Sequence, residues 1–232
     1  LPQLPLDNII GEPLRRDTAA AVCLGALIAR KRFGDPVIVT LAADHLIEPV
    51  ELFHRSMLSA ARMARKTGAL YTFGIKPDHP ATGYGYLEIG EKTADDEGNE
   101  HFRLVSFKEK PDLKTARGYI ECGRYLWNAG IFVWTAETIL REIETHAPEH
   151  LGYLTPALEQ EEFPGWCHAL RKAFEQLNTV SIDYAVMEKA TDVRCVAGGF
   201  AWKDIGNWLA MEDYLAHDGK GNHCQGRVYS LD

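Results

Sequence analysis

The hydrophobic positions along the chain follow two periodicities in turn, one typical of helices and one typical of buried strands. Residues 17–33 are rich in Ala, Leu and Ile and predict a helix. Residues 37–41 form a short β-branched run, which is typical of a strand covered on both faces. A helix over 49–66 and a strand over 70–75 follow, so this part of the chain predicts a β-α-β unit.

The middle of the chain has a different pattern. Residues 84–89 and 102–110 flank the polar turn 95–99 and predict an antiparallel hairpin. A β-α-β unit followed by a hairpin predicts an α/β fold with a mixed sheet, in one domain over residues 1–232. Further hydrophobic runs predict helices at 112–121, 136–145, 167–177 and 182–190 and strands at 126–134, 192–197 and 226–231.

Composition and charge limit the kinds of partner and the cellular compartment that we expect for the protein. The formal net charge is −8 and no run of basic residues occurs, which argues against binding along nucleic-acid phosphates. The five cysteines have no C-x-x-C spacing, so we expect neither a zinc site nor a disulfide framework, and a reducing compartment is favoured. The longest apolar stretches, such as 19–29, are shorter than the ~20 residues of a membrane span, and no leader peptide is recognisable. We therefore expect a cytoplasmic protein without a membrane partner.

Two acidic residues stand where a metal site could form. Asp44 follows the predicted strand 37–41, at the end of a sheet strand where α/β proteins bind ligands. Asp204 lies in the segment 202–208, which concentrates two Trp residues and a Gly and which we interpret as a loop between a strand and a helix. Each acid alone is equally compatible with a turn or a helix cap. Together they would suit Mg²⁺, which takes one or two carboxylates with phosphates and water.

A second set of polar residues interrupts apolar strand patterns. On the strand 103–110, one side carries Arg103, Val105 and Phe107 and ends in Glu109, which could accept hydrogen bonds from sugar hydroxyls; Lys110 could reach a phosphate. The alternative is a surface ion pair. Asn128 interrupts an apolar stretch and needs hydrogen-bond partners, either a substrate hydroxyl or an internal backbone group.

Two loops offer backbone groups to a ligand. Gly85 lies in the segment 82–85, where glycine permits close approach of backbone to a ligand but equally marks a turn. The segment 11–19 precedes a helix N-terminus, which favours anions, and Asp17 or Thr18 could cap that helix. Glu12 in this segment could accept from a nucleotide base or be a solvated loop acid.

Taken in order, seven segments closely resemble the mannose-1-phosphate guanylyltransferase family of sugar nucleotidyltransferases. The resemblance runs from residue 8 to about residue 232. The segments are Gly-Glu-Pro-Leu-Arg-Arg-Asp-Thr-Ala-Ala-Ala, Leu-Ala-Ala-Asp-His, Gly-Ile-Lys-Pro with Thr-Gly-Tyr-Gly-Tyr, Phe-Lys-Glu-Lys-Pro, Trp-Asn-Ala-Gly-Ile-Phe, Ser-Ile-Asp-Tyr-Ala-Val-Met-Glu-Lys and Trp-Lys-Asp-Ile-Gly-Asn-Trp.

The resemblance implies a fold and a reaction. The fold would be a Rossmann-like three-layer α/β/α nucleotidyltransferase domain with a mixed, mostly parallel sheet, and a homodimer would be unsurprising. The reaction would transfer GMP from GTP to mannose 1-phosphate, with Mg²⁺ as cofactor. By this resemblance, Asp44 and Asp204 match the family's metal ligands, and Lys110 matches the residue that contacts the sugar phosphate. The residues that match the family's sugar contacts are Gly85, Glu109 and Asn128. Those that match the guanine side are Glu12, Pro13 and Thr18.

Asp183 lies in a family motif, and the resemblance leaves it either a packing role or a role in supporting the residues that contact substrate.

The family's glycine-rich phosphate loop should precede Leu1, so we expect the 232-residue chain as written to transfer little or no nucleotide. The sequence leaves two alternatives open. One is a thymidylyl or uridylyl transferase that acts on another sugar 1-phosphate. The other is a noncatalytic module that binds a nucleotide sugar.

Overall fold

A six-stranded sheet forms the centre of the computed structural model, which describes residues 3–159, 165–206 and 222. The predicted strand at 226–231 and the end of the predicted loop at 207–208 lie outside these residues. The strands are β1 Val37–Thr40, β2 His45–Glu48, β3 Leu70–Ile75, β4 Tyr86–Asp96, β5 Asn99–Lys108, β6 Tyr125–Thr135, β7 Val193–Ala197 and β8 Ala201–Asp204. The strand order in the large sheet is β1-β6-β3-β7-β5-β4, and β2 pairs with β8 in a separate two-stranded sheet.

The large sheet is mixed, as predicted. Strands β1, β3, β7 and β4 run in one direction, while β6 and β5 run in the other. Among the described pairings only β3–β7 joins parallel neighbours, so this part of the sheet is not mostly parallel as the resemblance implied. The predicted β-α-β unit is split, because β6 lies between β1 and β3. Strand β6 is long enough to pair with β1 near its end and with β4 at its start.

Helices cover both faces of this sheet. They are α1 Asp17–Phe33, α2 Val50–Thr67, α3 Leu113–Cys122, α4 Ala136–His146, α5 Pro148–Glu159 and α6 Gly165–Gln176, with a 3-10 turn at Leu6–Asn8 and a π-helical segment at Asp183–Met187. Each sheet face has its own core. On β6, Phe132 and Trp134 pack into the core that α1 and α4–α6 share, whereas Ile131 and Val133 pack into the core that includes α2 and α3. This alternation along one strand produces the three layers.

Local signals explain most helix ends. The Asp112 carboxylate accepts a hydrogen bond from the Thr115 N–H at 2.8 Å, which caps α3, and Thr135 does the same for α4. Gly68 has a φ of 66°, the left-handed conformation that ends α2. The start of α1 differs from the prediction, because Arg16 is its N-cap residue and makes no side-chain cap. The Ala19 N–H instead donates to the Val180 carbonyl, so α1 begins against the segment that precedes the π-helix.

The hairpin is present, but one side of its second strand is not apolar throughout. Val105 is 65% exposed, whereas Phe107 is buried, so the prediction that Arg103, Val105 and Phe107 share a core face is wrong. The cause is a set of register shifts in the β4–β5 pairing between Glu88 and Ala94. Bulges of this kind rotate a strand, so side-chain parity is not kept across them.

No helix of the described part of the chain is long and apolar enough to cross a membrane.

Candidate active site

The β2–β8 ribbon, residues 45–48 paired with 201–204, brings Asp44 and Asp204 together. His45 is the register partner of Asp204, so Asp44 lies one residue beyond this pair. The Ile205 N–H donates to the Asp44 carbonyl at 2.8 Å, which continues the ribbon for one more bond. A Cβ atom on Gly206 would lie 3.0 Å from Asp204 Oδ1 and 3.6 Å from Asp44 Oδ2. Both carboxylates therefore face the same small space, and we call them the carboxylate pair.

The carboxylate pair suits a divalent cation. Asp204 Oδ1 is buried and has no hydrogen-bond partner among the described residues. A buried acceptor without a partner is costly, and a hard cation is one group that would satisfy it. The described residues contain no cluster of three or more acidic, His or Cys side chains around a point. Two carboxylates with an open remainder is the protein contribution that Mg²⁺ typically receives when phosphates and water complete its shell.

Four aromatic rings connect this pair to the centre of the sheet. His45 packs edge-on against Trp202 at 5.3 Å between ring centroids, Trp202 against Tyr84 at 5.1 Å, and Tyr84 against Trp127 at 5.2 Å. Burial lowers the pKa of His45, while the nearby Asp204 and Asp44 oppose this shift. The expectation that Trp202 belongs to a loop is wrong, because Trp202 lies in β8. Its indole is packed in the ribbon and holds the ribbon against the segment around Tyr84.

Strand register assembles a second group of polar residues, which we call the Glu109 cluster: Gly85, Glu109, Lys110 and Asn128. Tyr86 of β4 pairs with Lys108 of β5 on one side and with Trp127 of β6 on the other. Gly85 precedes Tyr86, Glu109 follows Lys108 and Asn128 follows Trp127. Because both pairings are antiparallel, these three residues lie next to one another. A Cβ atom on Gly85 would lie 2.5 Å from Glu109 Oε2 and 3.3 Å from Asn128 Cβ. The carboxylate occupies this position because residue 85 lacks a side chain.

Glu109 and Lys110 form an ion pair at this point. Lys110 Nζ lies 3.3 Å from Glu109 Oε1, and the Glu109 side chain is only 11% exposed. Burial raises the pKa of Glu109, and Lys110 opposes the rise. For Lys110 burial is the largest single influence and acts to lower the pKa, but the charge and hydrogen bond of Glu109 together with the neighbouring Tyr184 and Asp183 outweigh it, so the pKa is raised overall. Lys110 also has a φ of 44°, so the chain turns sharply after the carboxylate. This carboxylate is largely removed from water, unlike one in a plain surface pair.

Asn128 has partners of both kinds, side chain and backbone. Its side-chain oxygen accepts from the Thr72 hydroxyl at 2.8 Å and from the Gly130 N–H at 3.2 Å. Its side-chain nitrogen donates to Asp183 Oδ1 at 3.2 Å. Two of these three hydrogen bonds join Asn128 to side chains, and one joins it to a backbone group. The second N–H of the amide makes no hydrogen bond within the described residues, and the amide nitrogen lies 3.6 Å from the position that a Cβ atom on Gly85 would take.

Asp183 joins this cluster from the π-helical segment. Burial, followed by the charge of Glu109, raises the pKa of Asp183 to about 6. The helix expected at 182–190 is shorter than predicted and is a single π-helical turn over Asp183–Met187. Such turns are rare and occur frequently at functional sites. The sequence signal for Asp183 was its position in the Ser-Ile-Asp-Tyr motif, and hydrophobic periodicity gave no indication of it.

The residues predicted to bind the nucleotide, Glu12, Pro13 and Thr18, do not all line one cavity. Thr18 and Asp183 line a cavity of about 550 Å³ that also includes Thr40, Ala42 and His45. The Thr18 hydroxyl oxygen accepts the Ile182 N–H at 2.8 Å. Among the described residues, Glu12 and Pro13 are not part of the lining of this cavity. Partial burial raises the pKa of Glu12.

Comparison with known proteins identifies the family of the chain. Residues 6–220 match the family model described as Nucleotidyl transferase. Mannose-1-phosphate guanylyltransferase of Escherichia coli (strain K12) is 37% identical over 225 residues, which cover 96% of this chain and 47% of that protein. The chain thus spans about half the length of this curated relative.

Two crystal structures are similar to this chain throughout most of its length. A Thermus thermophilus protein described as mannose-1-phosphate geranyltransferase aligns with a TM-score of 0.78 at 35% identity, covering 90% of this chain and 58% of that chain. Mannose-6-phosphate isomerase of Helicobacter pylori aligns with a TM-score of 0.69 at 29% identity, covering 83% and 72%. With a family model matched over nearly all of its residues and a curated relative aligned over 96% of it, this chain belongs to the nucleotidyl transferase family.

Proposed function

We propose that the full-length protein transfers GMP from GTP to mannose 1-phosphate and releases pyrophosphate, with residues 1–232 forming part of its catalytic domain and the phosphate loop preceding them. The observation that carries the proposal is the carboxylate pair, whose buried Asp204 Oδ1 lacks a partner within the described residues. The choice of GTP and mannose 1-phosphate is supported by the 37% identity to the Escherichia coli protein of that name.

In the proposed reaction, a phosphate oxygen of mannose 1-phosphate attacks the α-phosphorus of GTP. The bond from the α-phosphorus to the bridging oxygen breaks, and pyrophosphate leaves with that electron pair. Asp44 and Asp204 would hold Mg²⁺, which when bound supplies positive charge beside the phosphate oxygens. The protein's remaining task is to position two anionic substrates, since no covalent intermediate is required.

The Glu109 cluster supplies that positioning on the sugar side. The Lys110 ammonium would contact the sugar phosphate. Glu109 and the free N–H of Asn128 would bind sugar hydroxyls in the space that Gly85 leaves open. On the nucleotide side we assign Glu12, Pro13 and Thr18 to the guanine end. The roles of Lys110, Glu109 and Asn128 agree with the charges and hydrogen-bonding capacity of their side chains.

A pyrophosphate-release assay tests the proposal. The full-length protein is incubated with Mg²⁺ and with GTP, UTP or dTTP, each combined with mannose 1-phosphate or glucose 1-phosphate. We expect the highest kcat/KM for GTP with mannose 1-phosphate and GDP-mannose as the product identified by mass. Preference for UTP or dTTP would replace the assignment with another sugar nucleotidyltransferase. Binding of GDP-mannose in calorimetry without turnover of any pair would support a noncatalytic binding module.

A further inference from the structure

The segment 180–188 links the two substrate sides of the candidate site. At one end, the Val180 carbonyl accepts the Ala19 N–H at 3.2 Å and the Ile182 N–H donates to the Thr18 hydroxyl oxygen at 2.8 Å. At the other end, Glu188 Oε1 accepts the Glu109 backbone N–H at 3.0 Å. Asp183 lies between these contacts and bonds to Asn128. One short segment therefore holds elements from α1, from the end of β5 and from β6.

Asp183 has a specific effect on the Asn128 amide. A side-chain amide can be placed in two orientations that exchange its oxygen and nitrogen. Here the Gly130 N–H points at one end of the amide and can only donate. The ionised Asp183 carboxylate lies at the other end and can only accept. Reversing the amide would place two donors together and two acceptors together, so the two groups select one orientation.

We propose that Asp183 is a positioning residue: it holds the Asn128 amide with its free N–H towards the space beside Gly85 and Glu109, and so sets the affinity for the sugar phosphate. This inference rests on the proposed function and assigns Asp183 a role in sugar-phosphate binding, although the residue itself need not touch the substrate. The selected N–H and Glu109 Oε2 then present one donor and one acceptor to neighbouring sugar hydroxyls.

The charge of Asp183 makes this role dependent on pH. Among the described residues, the charged groups that act on Asp183 are Glu109 and Lys110, from the turn after β5, and Asn128 bonds to it from β6. Because the pKa of Asp183 is about 6, the carboxylate is ionised at pH 8 and protonated at pH 5. Protonation removes the charge from the hydrogen bond and gives the group a donor of its own. The orientation of the amide is then selected by the Gly130 N–H alone, because the Thr72 hydroxyl can donate or accept.

Steady-state kinetics of the full-length Asp183→Asn variant test this role. At pH 8 we expect the KM for mannose 1-phosphate to rise about tenfold, while the KM for GTP stays within about twofold. The second phosphate pKa of the sugar phosphate, about 6, is common to both proteins, so the readout is the ratio of variant to wild-type KM. The ratio should fall towards one at pH 5, where wild-type Asp183 is itself neutral. Glu91→Gln, a change of an exposed carboxylate on β4, serves as the control and should give a ratio of one throughout.

Three kinetic outcomes overturn the proposal: no change in the KM for mannose 1-phosphate, equal increases for both substrates, or a ratio that does not depend on pH. Thermal unfolding of each variant separates loss of fold from loss of positioning. An NMR measurement needs no turnover. The Asn128 side-chain amide signals should shift with a midpoint near pH 6 in the wild type and should not do so in Asp183→Asn. If turnover is absent but this titration is present, the proposed function fails and the positioning contact stands; if the titration is absent, the positioning contact fails.

Discussion

Replacing Gly85 with Ala is the most direct test of the Glu109 cluster. The new Cβ atom would lie 2.5 Å from Glu109 Oε2 and 3.3 Å from Asn128 Cβ. Ordinary contacts between heavy atoms lie near 3.5 Å, so the carboxylate oxygen must retreat by roughly 1 Å. The carboxylate pair is untouched, because neither Asp44 nor Asp204 is among the residues nearest to the new methyl group.

The expected size of the effect follows from the contact that this movement disturbs. The atom that must move is Glu109 Oε2, which we propose accepts a hydrogen bond from a sugar hydroxyl, and a hydrogen bond to a charged group contributes about 1.5–3 kcal/mol. Loss of the lower part of that range from sugar-phosphate binding corresponds to about a tenfold rise in KM, since about 1.4 kcal/mol is a factor of ten. The fold should be little affected. The clash is with the flexible end of a side chain, and Ala lowers the entropy of the unfolded chain, so we expect the free energy of unfolding to change by less than about 1 kcal/mol.

The assay is the pyrophosphate-release measurement with GTP held saturating and mannose 1-phosphate varied. Gly118→Ala is the matched control, because a Cβ atom on Gly118 in α3 meets no heavy atom within 4 Å. It should leave both KM values unchanged. An unchanged KM for mannose 1-phosphate in a folded Gly85→Ala protein would show that the sugar does not bind beside Gly85.

Further predictions concern the metal, the core and a buried histidine. Asp44→Asn and Asp204→Asn in the full-length protein should each lower kcat/KM by about a hundredfold or more, and chelation with EDTA should stop the wild-type reaction reversibly; full activity in either variant would remove that residue from the metal site. Gly74→Ala should lower the free energy of unfolding in urea by about 1–3 kcal/mol, because its Cβ atom would lie 2.5 Å from Leu126 Cδ1 and 2.6 Å from Cys195 Sγ in the core; stability equal to the wild type would contradict the packing described. His101 is fully buried with its Nε2 at 2.8 Å from Ser59 Oγ, and burial lowers its pKa. Its contribution to stability is present above the unfolded pKa of about 6.5 and is lost as the pH falls, by up to about 1.4 kcal/mol per pH unit; His101→Gln should reduce that loss, and an identical acid dependence would refute the assignment.

The sequence predicted most elements because their signals are local. The β-branched run at β1, the turn at 95–99 and the periodicity of α2 each depend on neighbouring residues, and the structure has all three within a few residues. The order of the strands in the sheet, in contrast, could not be predicted from local signals. Strand β6 is inserted between β1 and β3 by contacts that no local pattern encodes, so the β-α-β unit was predicted with the wrong neighbours.

The candidate site shows the same limit. Asn128 was recognised as an unusual amide, but its partners Thr72 and Asp183 come from distant parts of the chain, and the sequence pattern alone slightly favoured an internal backbone partner. Val105 was placed on the core face because the register shifts of β4 leave no clear mark in the sequence. Asp204 was expected in a loop, since a four-residue strand, paired in the described part of the chain with another four-residue strand, has too few residues to show alternation.

The ribbon that unites Asp44 and Asp204 also sets an order of events during protein synthesis. Asp44 leaves the ribosome long before Asp204, and the two strands that join them belong to widely separated parts of the chain. At roughly 5–20 residues per second, the interval is on the order of ten seconds. Throughout that time the nascent chain has only one of the two carboxylates that we propose as metal ligands. A cation can therefore contribute to the stability of the domain only after nearly all of the described residues have been made.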